Sequence, residues 1–184
     1  MDRREAILRE AEQRILLLDG AMGTLLQAER LSEEDYHDDS IKEVLSRTSS
    51  PLKGCSDLLC LTRPDLIYDI HCRYLEAGAD IITTNSFNAN PVSLKEYGIA
   101  DLTYDINAAA AELARQAASA YQLHDGRPRF TTGSVGPTGT TLSLSPKVED
   151  PAYRDMTFDE LSQAYLEQIR GLVEGGVDLL LIET

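Results

Sequence analysis

Short aliphatic runs alternate along the chain with amphipathic helical patterns, and this alternation restricts the fold more than any other feature. Continuous aliphatic strands between amphipathic helices indicate a parallel sheet covered by helices and joined by right-handed crossovers. The sequence therefore predicts an α/β fold with about four parallel strands and flanking helices. The aliphatic runs occupy 15–18, 81–82, 129–135 and 179–182, and apolar residues recur at helical spacing over 3–15, 64–75, 101–123 and 157–174.

Composition and charge exclude several classes of function. Lys and Arg number 17 against 31 Asp and Glu, and the resulting net charge of −14 disfavours binding to nucleic acid or anionic lipid. No apolar run approaches the roughly 18 residues that a membrane span needs, so we expect no membrane segment. The amino terminus lacks the pattern of a secretory signal, which predicts a cytoplasmic protein.

The cysteines do not form a recognisable framework. Cys55, Cys60 and Cys72 are an odd number without a secretion signal, and their spacing lacks the close pair typical of zinc ligands. We expect three free thiols. His71 falls within an amphipathic helical pattern and is interpreted as a satisfied helix-face histidine rather than a metal ligand.

Polar residues and glycines follow each predicted strand. In a parallel sheet these residues meet at one edge, where carboxylates could hold an ammonium group and backbone N–H groups at glycines could hold a carboxylate. The pattern thus predicts a site for a small zwitterionic ligand, although Asp19 could instead cap a helix and the glycines could merely turn the chain. These residues are Asp19 and Gly20, then 83–86, then 133–138, then Glu183 and Thr184.

Two long connections follow strand ends, at 28–63 and 138–156. Loops of this length are more often functional than idle, but each could be a disordered insertion. The GAMGT segment at 20–24 lacks the lysine of a phosphate-binding loop. Spacing alone therefore gives no reaction type.

Four ordered segments together resemble the homocysteine-binding domain of cobalamin-dependent methionine synthase. The resemblance extends from about residue 15 to residue 184. It implies the first half of a (β/α)8 barrel, with a leading helix at 1–14 and strands 1 to 4 with their helices in 15–184, all within one domain at 1–184. The segments are LLLDGAMGTLLQ at 16–27, the stretch from GCSDLLCL to NSFNAN at 54–90, GSVGPTGTTLSLSP at 133–146 and EGGVDLLLIET at 174–184.

The resemblance also implies roles for individual residues. Asp19 and Glu183 match acidic residues near the homocysteine amino group. The backbone of Gly133, Ser134 and Val135 matches the lining of the amino-acid pocket. Asn85 and Ser86 match a second motif at the same edge, and no catalytic residue is carried over.

In that family, homocysteine binds as a zinc thiolate and takes a methyl group from methylcobalamin, because zinc lowers the thiol pKa. The three zinc cysteines of the family have no counterpart here and are expected beyond residue 184. We therefore expect these residues to bind homocysteine but neither zinc nor methylcobalamin, and to be inactive alone. Expected partners are the cobalamin and folate domains of a longer chain, and open sheet edges predict self-association.

Two alternatives remain open. The methyl donor could be betaine or S-methylmethionine, since those homocysteine methyltransferases share the barrel. The chain could also be a non-enzymatic module that binds an amino acid.

Overall fold

A three-stranded parallel sheet forms the centre of the chain. The computed structural model describes residues 3–140 and 142–184, so Met1, Asp2 and Thr141, which belong to the predicted leading helix and second long connection, lie outside the described residues. The strands are β1 (Ile81–Thr83), β2 (Phe130–Val135) and β3 (Leu179–Ile182), and their spatial order equals their order in the chain. Consecutive parallel neighbours are the arrangement found in the wall of a (β/α)8 barrel.

The first predicted strand is shorter than expected. Leu18 pairs with Ile81 through an isolated parallel bridge, and the segment 15–18 extends no further as a strand. Leu17 O nevertheless accepts hydrogen bonds from the backbone N–H groups of Asp80 at 2.8 Å and Ile81 at 3.0 Å. The segment therefore lies next to β1, and the sheet consists of three strands and one bridged segment.

Helices connect the strands, and several of their ends have recognisable signals. Pro64 occupies the first turn of its helix, Thr157 and Glu160 form a capping box, and Gly126 and Gly176 end helices with positive φ. No helix among the described residues is long and apolar enough to cross a membrane. The helices are α1 (Arg3–Gln13), α2 (Met22–Ala28), α3 (Lys42–Leu45), α4 (Leu59–Thr62), α5 (Pro64–Glu76), α6 (Pro91–Leu94), α7 (Thr103–Asp125) and α8 (Phe158–Gly175). The described part of the chain also contains 3₁₀ turns at Glu33–Tyr36, Asp39–Ile41, Ser56–Leu58, Lys95–Tyr97 and Ala100–Leu102.

Helix α8 packs closely on α7 because glycines lie at the contact. A Cβ on Gly171 would lie 2.7 Å from the Cβ of Asn107, and one on Gly175 would lie 2.6 Å from the Cβ of Ala111. Real Cβ atoms do not approach each other so closely. These glycines therefore let α8 approach α7 closely, and Leu172 of α8 is fully buried against Ala111 and Val135.

The first long connection is ordered and contributes to the core. Tyr36, Leu52, Leu58 and Leu59 are buried there in one cluster with residues of α5 and α7. This connection is thus a packed part of the domain. The second one, 138–156, contains no helix or strand among its described residues.

Helix α1 is held by charge rather than by an apolar face. The helix was expected to pack by its apolar residues, but none of its residues is buried and Leu8 is 55% exposed. Arg3 instead pairs with Asp178 at 2.6 Å, and Arg14, just after the helix, pairs with Asp80 at 2.8 Å. Both acids precede strands, so α1 is tied across the amino-terminal edge of the sheet.

The two outermost segments expose aliphatic side chains that were expected to be buried. Ile15 is 84% exposed, Leu17 56%, Leu180 42% and Ile182 84%. Each segment pairs with a neighbour on one side only within the described residues. Full burial of a strand needs neighbours on both sides, whereas the outermost strands of an open sheet present unpaired edges and apolar faces.

Candidate functional site

A cavity of about 520 Å³ lies at the carboxyl edge of the sheet, where the polar residues were expected to meet. No Lys, Arg or His is found among the described residues that line it, whereas three carboxylates are, so the cavity favours a ligand with positive charge. Its lining consists of 18–23, 56–57, 83–88, Ser134, Leu181 and Glu183.

Asp19 is fixed at the end of the bridged segment by Thr83. Its Oδ2 accepts the Thr83 backbone N–H at 2.8 Å, and its Oδ1 accepts the Thr83 hydroxyl at 2.7 Å. Burial raises the pKa of Asp19 to about 6, the Thr83 hydrogen bonds oppose that rise, and the charge of Glu183 adds to it. A positively charged ligand group beside Asp19 would therefore stabilise its charged form.

Glu183 follows β3 directly and turns its carboxylate towards β2. Its backbone N–H donates to Val135 O at 3.2 Å, which continues the ladder between the two strands. The Ser134 hydroxyl donates to Glu183 Oε1. Asp19 follows one outermost segment of the sheet and Glu183 follows the other, and both carboxylates line the same cavity at the carboxyl edge.

A set of hydroxyl groups links the ends of β1 and β2. The hydroxyls of Thr84 and Ser86 lie 2.7 Å apart, and the Ser134 backbone N–H donates to Thr84 Oγ1 at 2.9 Å. The Ser86 hydroxyl donates back to Ser134 O at 2.9 Å. Ser86 and Ser134 are buried, so these bonds hold the floor of the cavity rigidly.

Asn85 lines the cavity, but its side-chain amide supports a neighbouring segment. Its Nδ2 donates to Ser56 O at 2.7 Å, and the Cys60 thiol donates to Asn85 O at 3.3 Å. The structure thus assigns this side chain to anchoring the segment before α4. Contact between Asn85 and a ligand stays a prediction.

Gly133 and Val135 lie on the other face of β2. A Cβ on Gly133 would lie 2.9 Å from Leu172, and Val135 packs with Leu172 and Ala111. Side chains alternate along a strand, so among 133–135 only the Ser134 side chain reaches the cavity. Any part of Gly133 and Val135 in ligand binding would come from their backbone, and it too stays a prediction.

Asp57 is a third carboxylate at the cavity that sequence reasoning missed. It is 5% exposed, and its Oδ1 accepts the Asn88 backbone N–H at 2.9 Å. Burial raises its pKa to about 6 against the effect of that hydrogen bond. An acid within the otherwise apolar segment CSDLLCL was the available signal.

The described residues do not fit a metal ion. Among residues 3–140 and 142–184, no group of three or more His, Cys, Asp or Glu could hold one. Cys55, Cys60 and Cys72 are free; burial raises the pKa of Cys55 to about 12 and that of Cys60 higher still, which opposes a thiolate. His71 is fully buried, and neither ring nitrogen has a hydrogen-bond partner among the described residues, contrary to the expected satisfied histidine. Burial lowers the pKa of His71 to about 4. No step through zinc is assigned to these residues.

Solved structures of a homocysteine methyltransferase, MmuM from Escherichia coli, share this architecture. The metallated form superposes with a TM-score of 0.69 at 26% identity, covering 98% of this chain and 57% of that one. The oxidized form gives 0.64 at 28% identity, covering 90% and 51%. The chain therefore spans about half the length of these structures.

The sequence itself matches the family model for homocysteine S-methyltransferase over residues 16–184. That range includes every segment that lines the cavity, from Leu18 to Glu183. The three strands of the parallel sheet also lie within it. The chain belongs to the homocysteine S-methyltransferase family.

Proposed function

We propose that the cavity binds the amino-acid part of homocysteine for transfer of a methyl group to its sulfur. The observation that carries this proposal is the pair of carboxylates, Asp19 and Glu183, that line one cavity without a basic side chain among its described residues. An ammonium group between them would relieve their mutual repulsion and offset the burial of Asp19. Backbone groups of 20–23 would remain available to the ligand carboxylate.

The whole protein is proposed to be a methionine synthase that takes the methyl group from methylcobalamin. In that reaction methylcobalamin would supply the methyl group, and Asp19 and Glu183 would hold the amino group of the homocysteine that accepts it. Resemblance of the four ordered segments to the cobalamin-dependent family supports this choice. Zinc and methylcobalamin would be held by other parts of a longer chain, together with cobalamin and folate domains.

A donor such as betaine or S-methylmethionine is the alternative within the same family. Purified full-length protein, loaded with zinc, distinguishes the donors by methionine formation from homocysteine. Methylcobalamin should support turnover, and turnover with betaine or S-methylmethionine alone would contradict the choice of donor. Homocysteine S-methyl transfer itself would still stand in that case.

Calorimetry tests the amino-acid site separately from the reaction. Homocysteine is compared with 4-mercaptobutyrate, which keeps the thiol and the carboxylate but lacks the amino group. We expect the chain to prefer homocysteine by at least about tenfold, the value of one charge-assisted hydrogen bond. Equal affinity for the two thiols would contradict the proposed role of the carboxylates. Tight binding that needs no metal, without methyl transfer by the full-length protein, would instead identify a non-enzymatic binding module.

A further inference from the structure

Gln168 is a fully buried amide in the middle of α8, at a contact that is otherwise lined by small and apolar residues. The other buried residues of this helix are Ala164, Gly171, Leu172 and Gly175. Burying an amide is costly unless it forms hydrogen bonds. Its position therefore needs a reason beyond packing.

The Gln168 amide binds the two strand ends that form the floor of the cavity. Its Nε2 donates to Ser86 O at 2.7 Å and lies 3.4 Å from Ser134 O. Carbonyl oxygens only accept hydrogen bonds, so the NH2 group must face them. Gln168 Oε1 has no hydrogen-bond partner within residues 3–140 and 142–184, which indicates that the amide is present for its donors.

Ser134 connects this amide to the ligand-binding carboxylate. Its backbone N–H donates to Thr84 Oγ1, and its carbonyl accepts from Ser86 and Gln168. With its backbone held in this way, Ser134 directs its hydroxyl to Glu183 Oε1. Glu183 is otherwise a long side chain on the outermost strand, with rotamer freedom to lose on binding.

We propose that Gln168 is a positioning residue, which holds Ser134 so that its hydroxyl fixes the Glu183 carboxylate for the ammonium group of the substrate. This role rests on the proposed function. Gln168 does not line the cavity and would act through Ser86 and Ser134. Its loss should therefore weaken recognition of the amino group more than recognition of the rest of the ligand.

Asn107 on α7 provides a matched control. It is also a fully buried amide, and its Nδ2 donates to Ala89 O at 2.6 Å and Thr103 O at 2.7 Å. Ala89 belongs to the same connection as Ser86, and its backbone N–H donates to Ser86 O at 3.1 Å, but Asn107 itself donates to Ala89 and Thr103 rather than to Ser86 or Ser134. Replacing Asn107 removes a comparable buried amide and leaves the Gln168 contacts with Ser86 O and Ser134 O in place.

The test measures selectivity, defined as the affinity for homocysteine divided by that for 4-mercaptobutyrate. Gln168→Met should lower selectivity about tenfold, whereas Asn107→Leu should leave it within twofold of the wild type. Ser134→Ala should lower it as Gln168→Met does, and the double variant should lose no more than either one, because both act on one path. If Gln168→Met does not fold, Gln168→Asn replaces it. Its side chain is one methylene shorter, so the amide should no longer reach Ser86 O and Ser134 O, and selectivity should fall in the same way.

Three results would overturn the inference or its basis. Selectivity retained in Gln168→Met and Gln168→Asn but lost in Ser134→Ala would show that Ser134 is positioned without Gln168. An equal loss of selectivity in Asn107→Leu would show that any buried amide near the cavity has this effect through packing. Equal affinity of the wild type for homocysteine and 4-mercaptobutyrate would contradict the proposed function itself. That outcome differs from the first two, which appear only in the variants.

Discussion

Thr83 donates two hydrogen bonds to Asp19, one from its backbone N–H and one from its hydroxyl, so that both carboxylate oxygens are engaged. The bond lengths are 2.8 and 2.7 Å. Two donors on one carboxylate favour its charged form, although burial raises its pKa to about 6. The geometry thus keeps a partly buried carboxylate oriented at the cavity.

Replacing Asp19 with Asn should weaken homocysteine binding about 10- to 100-fold, because the charge that faces the ammonium group is lost and an NH2 group meets the Thr83 donors. Calorimetry measures the loss. Binding of 4-mercaptobutyrate should change by less than threefold. Asp155→Asn, at an exposed position outside the cavity, should bind like the wild type. A tenfold or larger loss with both ligands would instead indicate a damaged cavity.

Homocysteine affinity should depend on pH through Asp19. Because the pKa of Asp19 is about 6, nine-tenths of these carboxyls are protonated at pH 5 and most are charged at pH 7.5. Affinity should therefore fall about tenfold between pH 7.5 and pH 5, as measured by calorimetry at both values. Asp19→Asn should lose this dependence, and a wild-type affinity that is constant over the range would refute it.

Asp57 should make folding less favourable as pH rises. Its pKa is raised to about 6 by burial, above the ordinary value of about 4, so the folded state binds the proton more tightly than the unfolded state. That contribution is fully present below pH 4 and is lost as pH rises through 6. Asp57→Asn keeps an acceptor for the Asn88 N–H and stays neutral. Relative to this variant, the wild type should lose on the order of 2 kcal/mol of unfolding free energy between pH 4 and pH 7 in urea titrations. A constant difference between the two proteins would contradict the assignment.

The edge of the sheet at which the polar residues meet was predictable from sequence, but the direction of each side chain was not. Asp19 and Glu183 were placed correctly at one cavity because the ends of parallel strands must share an edge. Side chains alternate between the two faces of β2, but the sequence does not show which face packs on the helices. It could therefore not show that Ser134 points into the cavity while Gly133 and Val135 point away from it.

Contacts between distant segments were also beyond the sequence patterns. Asn85 binds Ser56, and Gln168 binds Ser86 across 82 positions of the chain. Helical periodicity predicts which face of α8 is buried, but it does not say which carbonyls a buried amide will meet. Helix α1 has an apolar stripe that suggested packing, yet the ion pairs of Arg3 and Arg14 hold it.

Asp80 should stabilise the fold from the amino-terminal edge of the sheet. Burial alone would raise its pKa, but hydrogen bonds from Arg14 and the Leu17 N–H and the charge of Arg127 outweigh burial and lower the pKa below its usual value. Asp80→Asn should therefore cost about 2 kcal/mol at pH 7, since it removes the buried carboxylate that pairs with both Arg14 and Arg127.

The pH dependence of that loss has a definite sign. The folded-state pKa of Asp80 is depressed, so its contribution is present above the ordinary pKa of about 4 and is lost as pH falls through the folded value. The difference between wild type and Asp80→Asn should shrink below pH 4. Asp39→Asn, whose partner Lys42 lies 3.6 Å away at an almost fully exposed position, should change the stability by less than about 0.5 kcal/mol. Equal effects of the two substitutions would exclude the proposed anchoring of α1.

Strand β3 should promote self-association of the chain. Leu180 and Ile182 are 42% and 84% exposed, and one edge of β3 has no strand partner within the described residues. Unpaired edges with exposed aliphatic side chains pair with other chains, and a lysine on such an edge prevents this. The apparent mass from light scattering should rise with concentration, and Ile182→Lys should reduce the rise. Leu123→Lys, at an 88% exposed leucine near the end of α7, is the matched control and should not. A constant monomer mass, or an equal effect of the two lysines, would show that association does not occur through β3.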